Sequence, residues 1–166
     1  MGSEMCIRDS FSIARHPPLR SAQKPSGFDE KESETALGNL LFRVALCLML
    51  AVKRRGWGLA SHEHPLSAHS WHVGFWRWLE RQHNCGFVRF DMCAFGAPHF
   101  KPTRLARVRG AHLDLLARTC DGSHVHERLE GSRTTKASLY PAELCLEWAR
   151  LIAAARARRG WRSSSR

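Results

Sequence analysis

The sequence predicts an α/β domain, and three observations predict it. Apolar residues recur at helical spacing in several separate stretches, β-prone runs lie between them, and glycine or proline stands at most of the changeovers. A length of 166 residues, 43% hydrophobic and 25% charged, is enough for one domain with a real core and too little for two large ones.

Residues Met1 to Ser10 (MGSEMCIRDS) read as translated library adapter. A transposase mosaic-end sequence encodes this decapeptide when GTG serves as the start, so the protein is read from Phe11. Phe11 to Ser33 is rich in proline, serine, glycine and charge, and Pro17, Pro18 and Pro25 oppose regular structure there. From Glu34 to Arg55 the residues Leu37, Leu40, Leu41, Val44, Leu48 and Ala51 follow a spacing of three and four, which predicts a helix. Its opposite face is also partly apolar, which predicts deep burial. Gly56 ends this helix, and Trp57 to Ser61 is a short candidate strand. A second helix is expected to start near Pro65 and Ser67 and to carry Trp71, Phe75, Trp78 and Leu79, with Trp71, Trp76 and Trp78 as packing residues of that helix. Strands are expected over Phe87 to Met92 and Thr103 to Val108, joined by a turn at Gly96 and Pro98. A helix over Ala111 to Arg118, a polar stretch from Cys120 to Lys136 and a last helix opened by Pro141 complete the order.

The net charge of +11 favours polyanionic partners, nucleic acid first, through phosphate contacts and counterion release. Arg156, Arg158, Arg159, Arg162 and Arg166 also read as a basic tail over residues 153–166 with little to order it. Apart from Cys6, the cysteines are Cys47, Cys85, Cys93, Cys120 and Cys145. Their odd number and irregular spacing fit a reducing, intracellular setting better than a disulfide framework. The longest apolar run, Leu40 to Val52, contains Arg43 and falls short of the roughly 20 residues of a membrane span, so it reads as a buried helix and no membrane is expected. Cys120-x3-His124-x-His126, with Cys93 or Cys85, offers enough nitrogen and sulfur ligands for zinc. The spacing is not that of a known finger, and an exposed polar loop is the simpler reading.

Five short motifs occur in the order of one family. Phe11-Ser12-Ile13-Ala14 resembles the segment that follows a Pro-Cys nucleophile loop, and Gly38-Asn39-Leu40-Leu41-Phe42 resembles a helix start. Glu63-His64-Pro65 resembles a Glu-Asn-Val or Glu-Asn-Pro strand end. Phe95 to Lys101, with Gly96, Pro98 and His99, resembles an aromatic-Gly-x-Pro-Gln-x-Arg turn between the last two strands, and Tyr140-Pro141-Ala142-Glu143-Leu144 resembles a late helix start. The family they resemble is the cytosine-5 DNA methyltransferases, in a divergent form associated with phage and mobile elements.

That resemblance implies the later strands and helices of a partial Rossmann-like methyltransferase sheet over residues 11–152. It implies catalytic roles for Glu63, which would hold N3 and the exocyclic amine of a flipped cytosine, and for Lys101, which stands where arginine is usual. A solvated loop glutamate is the plainer reading of Glu63. His64 departs from the family's asparagine and His99 from its glutamine. The nucleophilic cysteine would precede Phe11, and nothing from Phe11 to Arg166 resembles the glycine-rich loop for S-adenosylmethionine. The intact parent would use that cofactor, while this chain is expected to bind none and to be inactive alone. A basic nucleic-acid-binding module, a zinc-stabilised module and a decayed mobile-element remnant are the competing readings, and the oligomeric state is left open.

Overall fold

The structure is a computed structural model that describes residues 17–29, 31–56, 58–128 and 139–158. The adapter-like residues 1–10, Phe11 and Ser12, and residues 159–166 of the basic tail lie outside the described residues.

Helix α1 (Ser33–Arg55) leads into strand β1 (Ala60–Pro65), a 3-10 turn (His69–His72) and helix α2 (Gly74–Glu80). Strand β2 (Cys85–Asp91), a second 3-10 turn (Met92–Phe95) and strand β3 (Pro102–Val108) follow. A third 3-10 segment (Ala111–Leu116) and helix α3 (Ala142–Arg158) complete the order. The three strands form one sheet in the order β1-β3-β2, and β3 is antiparallel to both neighbours. Strands β1 and β2 therefore run in the same direction, joined by a crossover that contains α2, and β3 returns between them. The expected mixture of helix and sheet is present. No two adjacent strands among the described residues are parallel, so this region differs from a plain doubly wound sheet.

Both faces of the sheet are covered. Register places Val88 across from Leu105, and these residues with Phe90 pack under Leu113, Leu116, Leu144 and Leu151 of the following segments. Phe87 lies across from Ala106, and that face packs with Trp71, Trp76 and Leu79 of the crossover and with Phe42 and Met49 of α1. Strands buried on both faces carry apolar residues without strict alternation, which is why β2 and β3 are readable as strands. Each fully buried leucine or phenylalanine contributes roughly 1.5–3 kcal/mol by leaving water.

Several elements differ from the sequence reading. The strand expected at Trp57 to Ser61 is displaced to Ala60–Pro65, because Gly58 still holds a turn conformation at φ 86° and pairing with β3 sets the strand's extent. Trp57 itself lies outside the described residues. The helix expected from Pro65 is split at Val73, which is extended (φ −67°, ψ 132°). Two indole N–H groups stabilise the break: Trp71 Nε1 donates to the Pro65 carbonyl and Trp76 Nε1 to the Ser70 carbonyl, each at 2.8 Å. Trp71 and Trp76 are core residues and Trp78 is 37% exposed at the surface, but Trp71 belongs to the 3-10 turn and only Trp76 and Trp78 to α2. The helix expected at Ala111 to Arg118 is a 3-10 segment ending at Leu116, and α3 runs on to Arg158, beyond Ile152.

Helix α1 is less buried than its composition suggests. Thr35, Gly38, Phe42 and Met49 face inward, while Leu37, Leu40, Val44 and Leu48 are 41–63% exposed. By length and composition alone α1 is also apolar enough to cross a membrane, although Phe42 and Met49 pack it on the sheet. Gly38 and Asn39 are not its N-terminus. Glu32 caps the helix by accepting the Glu34 and Thr35 N–H groups at 3.1 and 2.6 Å, which leaves Gly38 and Asn39 inside the helix. Asn39 instead donates to the Ser26 carbonyl and accepts from the buried Arg20, whose guanidinium also donates to the Pro25 and Thr35 carbonyls. Hydrogen bonds to a charged donor of this kind contribute about 2 kcal/mol, so Arg20→Ala is expected to lower stability by about that amount. Faster amide exchange over residues 17–29 is the check, and unchanged exchange there would contradict this anchoring role.

Candidate functional site

Strand β1 carries His62 and His64 on the face shared with Arg104 and Ala106, and Glu63 on the opposite face, across from Leu105. The alternation follows from the pleat. Glu63 is half-buried, and the Tyr140 hydroxyl donates a short hydrogen bond to its Oε2. Tyr140 stands just before α3, so the start of that helix is held against the end of β1. The sequence offered no signal for this contact, which joins two segments far apart in the chain.

The β2–β3 connection closes around Gly96. Its φ of 87° is a left-handed conformation that favours glycine, and its N–H donates back to the Cys93 and Met92 carbonyls. Pro98 offers its carbonyl to the Glu127 N–H at 2.8 Å. His99 is buried, and that burial, followed by the charge of Lys101, pushes its imidazole pKa below the usual value against the opposing pull of Glu127. Lys101 precedes β3, and its carbonyl accepts from the Met92 N–H and the Thr103 hydroxyl, both at 3.2 Å. Phe95 to His99 and Leu139 to Glu143 together line an open cleft of about 450 Å³. Three of the five motif segments thus lie at one end of the sheet: Glu63 to Pro65, Phe95 to Lys101 and Tyr140 to Leu144. Gly38 and Asn39 are elsewhere, against the N-terminal loop.

Next to the Gly96 turn is a second constellation. Cys93 in the 3-10 turn meets Cys120, His124 and His126, and the four ligand atoms all lie within 4.8 Å of one another. Cys120 Sγ is 3.4 Å from His126 Nε2 and 3.9 Å from His124 Nε2. Cys93 is buried and His124 exposed, so the group sits at the rim of the core. Desolvation, then the hydrogen bond with Cys120, pushes the Cys93 thiol up to about 11. Cys85, the other cysteine considered for this group, lies at the opposite end of β2. Asp91, 1% exposed, accepts the Cys120 N–H at 2.8 Å and so fixes the start of the loop. No signal in the sequence pointed to Asp91.

No known protein family, curated protein or solved structure matches the chain.

Proposed function

We propose that this chain is a portion of a cytosine-5 DNA methyltransferase-like protein, and that the Glu63 end of the sheet is its surface for a cytosine taken out of the DNA stack. The observation that carries this reading is the convergence of three separated motif segments at one sheet end, with Tyr140 donating to Glu63. Secondary support comes from topology. Two strands of the same direction joined by a helical crossover, with helices on both faces, are the units of a doubly wound sheet, and such sheets commonly carry an antiparallel strand.

Further room exists for neighbouring strands. Among the described residues β1 pairs only with β3, and a groove of about 660 Å³ between its free edge and α1 is lined by Leu48, Val52, Leu59 and His62. The net charge of +11 supplies the attraction to DNA. Glu63 would meet the Watson-Crick edge of the base with Tyr140 holding the carboxylate in place, and Lys101 would contribute positive charge nearby. The residues present do not fit S-adenosylmethionine, because no glycine-rich strand-to-helix loop occurs in them, and no methyl-transfer step is derived for this chain.

The test is fluorescence anisotropy of the full chain with two duplexes, one fully paired and one with a single cytosine opposite an abasic site. The unpaired cytosine is expected to bind roughly tenfold tighter, the value of one good base contact. Glu63→Ala is expected to remove that preference while leaving the salt-dependent binding common to both duplexes. Equal affinity for the two duplexes, unchanged in Glu63→Ala, would overturn the base-recognition reading in favour of a basic binding module.

A further inference from the structure

Among the described residues, the segment from Ala117 to Arg128 stands apart from the helices and the sheet. It has no regular secondary structure, and its one large aliphatic side chain, Val125, is 96% exposed. A polar stretch of this kind buries too little apolar surface to offset the entropy of ordering it. Yet it is held at both ends: the Asp91 N–H donates to the Arg118 carbonyl at 2.9 Å and the Glu127 N–H to the Pro98 carbonyl at 2.8 Å. Between those ends Cys120, His124 and His126 converge on Cys93 at the rim of the core.

We infer that Cys93, Cys120, His124 and His126 form a structural zinc site that pins this segment to the β2–β3 connection. Zinc held by two sulfurs and two nitrogens, at about 2.3 and 2.0 Å, keeps its donors roughly 3.3–3.8 Å apart. The Cys120 to His126 separation of 3.4 Å is within that range, the Cys120 to His124 separation of 3.9 Å is just outside it, and all four donors lie within 4.8 Å of one another, so closing on the ion requires side-chain rotations that draw the widest pair in by up to about 1 Å. Two sulfurs and two imidazoles are a donor set suited to tetrahedral zinc, and four protein ligands leave no open position for catalysis.

The surroundings fit as well. Gly122, at φ 75°, turns its N–H back onto Cys120 Sγ at 3.3 Å, a hydrogen bond that stabilises a thiolate. The buried Asp91 fixes the Cys120 backbone. His124 presents Nε2 to Cys120 while its Nδ1 lies 4.0 Å from the Asp121 carboxylate, the side on which ligand histidines usually find a partner. Phe100 packs beside His126 with ring centroids 5.2 Å apart.

The full chain, purified with reductant and dialysed after loading with zinc, is expected to retain about one equivalent of metal. Chelation is expected to speed amide exchange at Cys120, Gly122 and Glu127, whose N–H groups are bonded in the closed loop. Replacement of zinc by cobalt should give tetrahedral visible bands with sulfur-to-cobalt charge transfer, reduced by about half in Cys93→Ser or Cys120→Ser because one of two thiolates is gone. Should those variants fail to fold, His124→Cys keeps four donors and is expected to bind cobalt with stronger charge transfer. Metal retention below about 0.1 equivalent, well short of a filled structural site, would overturn the site. So would cobalt bands unchanged by Cys93→Ser, or a Cys93–Cys120 disulfide in the metal-loaded protein. The site is independent of the DNA reading, since Glu63→Ala is expected to leave metal content unchanged.

Discussion

Trp76→Ala is expected to cost about 4 kcal/mol, enough to unfold a marginally stable domain of this size. Trp76 is 2% exposed at the centre of an aromatic cluster, with Trp71, His62, Phe75, Phe42 and Phe87 at centroid distances of 4.9, 5.2, 5.3, 5.9 and 6.0 Å. Truncation removes the transfer energy of the indole and leaves a cavity whose lining comes from α1, β1, β2 and the crossover, elements that cannot all close on it. The lost hydrogen bond matters less, because the Ser70 carbonyl still accepts the Val73 N–H at 3.2 Å. Trp76→Phe retains a ring in the cluster and is expected to cost about half as much. Urea unfolding followed by far-ultraviolet circular dichroism measures both. A loss below about 1 kcal/mol for the alanine variant would mean that this face of the sheet does not hold the fold together.

How far the sequence discloses the fold depends on how locally each element is determined. Strands β2 and β3 announce themselves through Phe87, Val88 and Phe90 and through Leu105 and Val108, and α3 through Leu144, Trp148 and Leu151, because burial fixes their residue types. Strand β1 reads Ala-Ser-His-Glu-His-Pro, with no β-branched residue, and is a strand because β3 pairs with it. The cap at Glu32 is similarly hidden, since glutamate is not among the usual capping residues. For the candidate sites the limit is distance along the chain. Cys120, His124 and His126 are close in sequence and visible together, whereas choosing Cys93 over Cys85 requires knowing which end of β2 faces the loop. The pairing of Tyr140 with Glu63 is likewise a tertiary fact.

Acidification is expected to destabilise the protein through His62, with the loss confined to a defined window. Burial pushes the His62 imidazole down to about 4, from an ordinary value of 6.5. Its half-buried ring packs against Phe42, Trp71, Trp76 and His64, and its buried Nε2 has no hydrogen-bond partner among the described residues, which favours the neutral form in the folded protein. Above pH 6.5 both folded and unfolded forms are neutral and stability is unaffected by this group. As pH falls from 6.5 towards 4 the unfolded chain takes up a proton that the folded chain refuses, and stability declines by about 3 kcal/mol in all. His69 and His99 are also lowered, by burial first and then by neighbouring positive groups, so their contributions have the same sign. Charged and titratable groups packed against the cluster include His64, whose Nδ1 is 2.6 Å from Ser70 Oγ, and Arg104, which lies over Trp71 and Phe87. Neither neighbour offers a carboxylate to a protonated His62, and burial alone accounts for its lowered pKa. His62→Phe fills the same aromatic site without a titrating group, so its urea midpoint is expected to fall less steeply than that of the parent between pH 6.5 and 4. Both proteins must be compared in the same metal state, because acid also displaces zinc from histidine and cysteine ligands. Parallel stability curves for the two proteins would show that His62 takes up its proton as readily in the folded as in the unfolded chain, and hence that water reaches its ring.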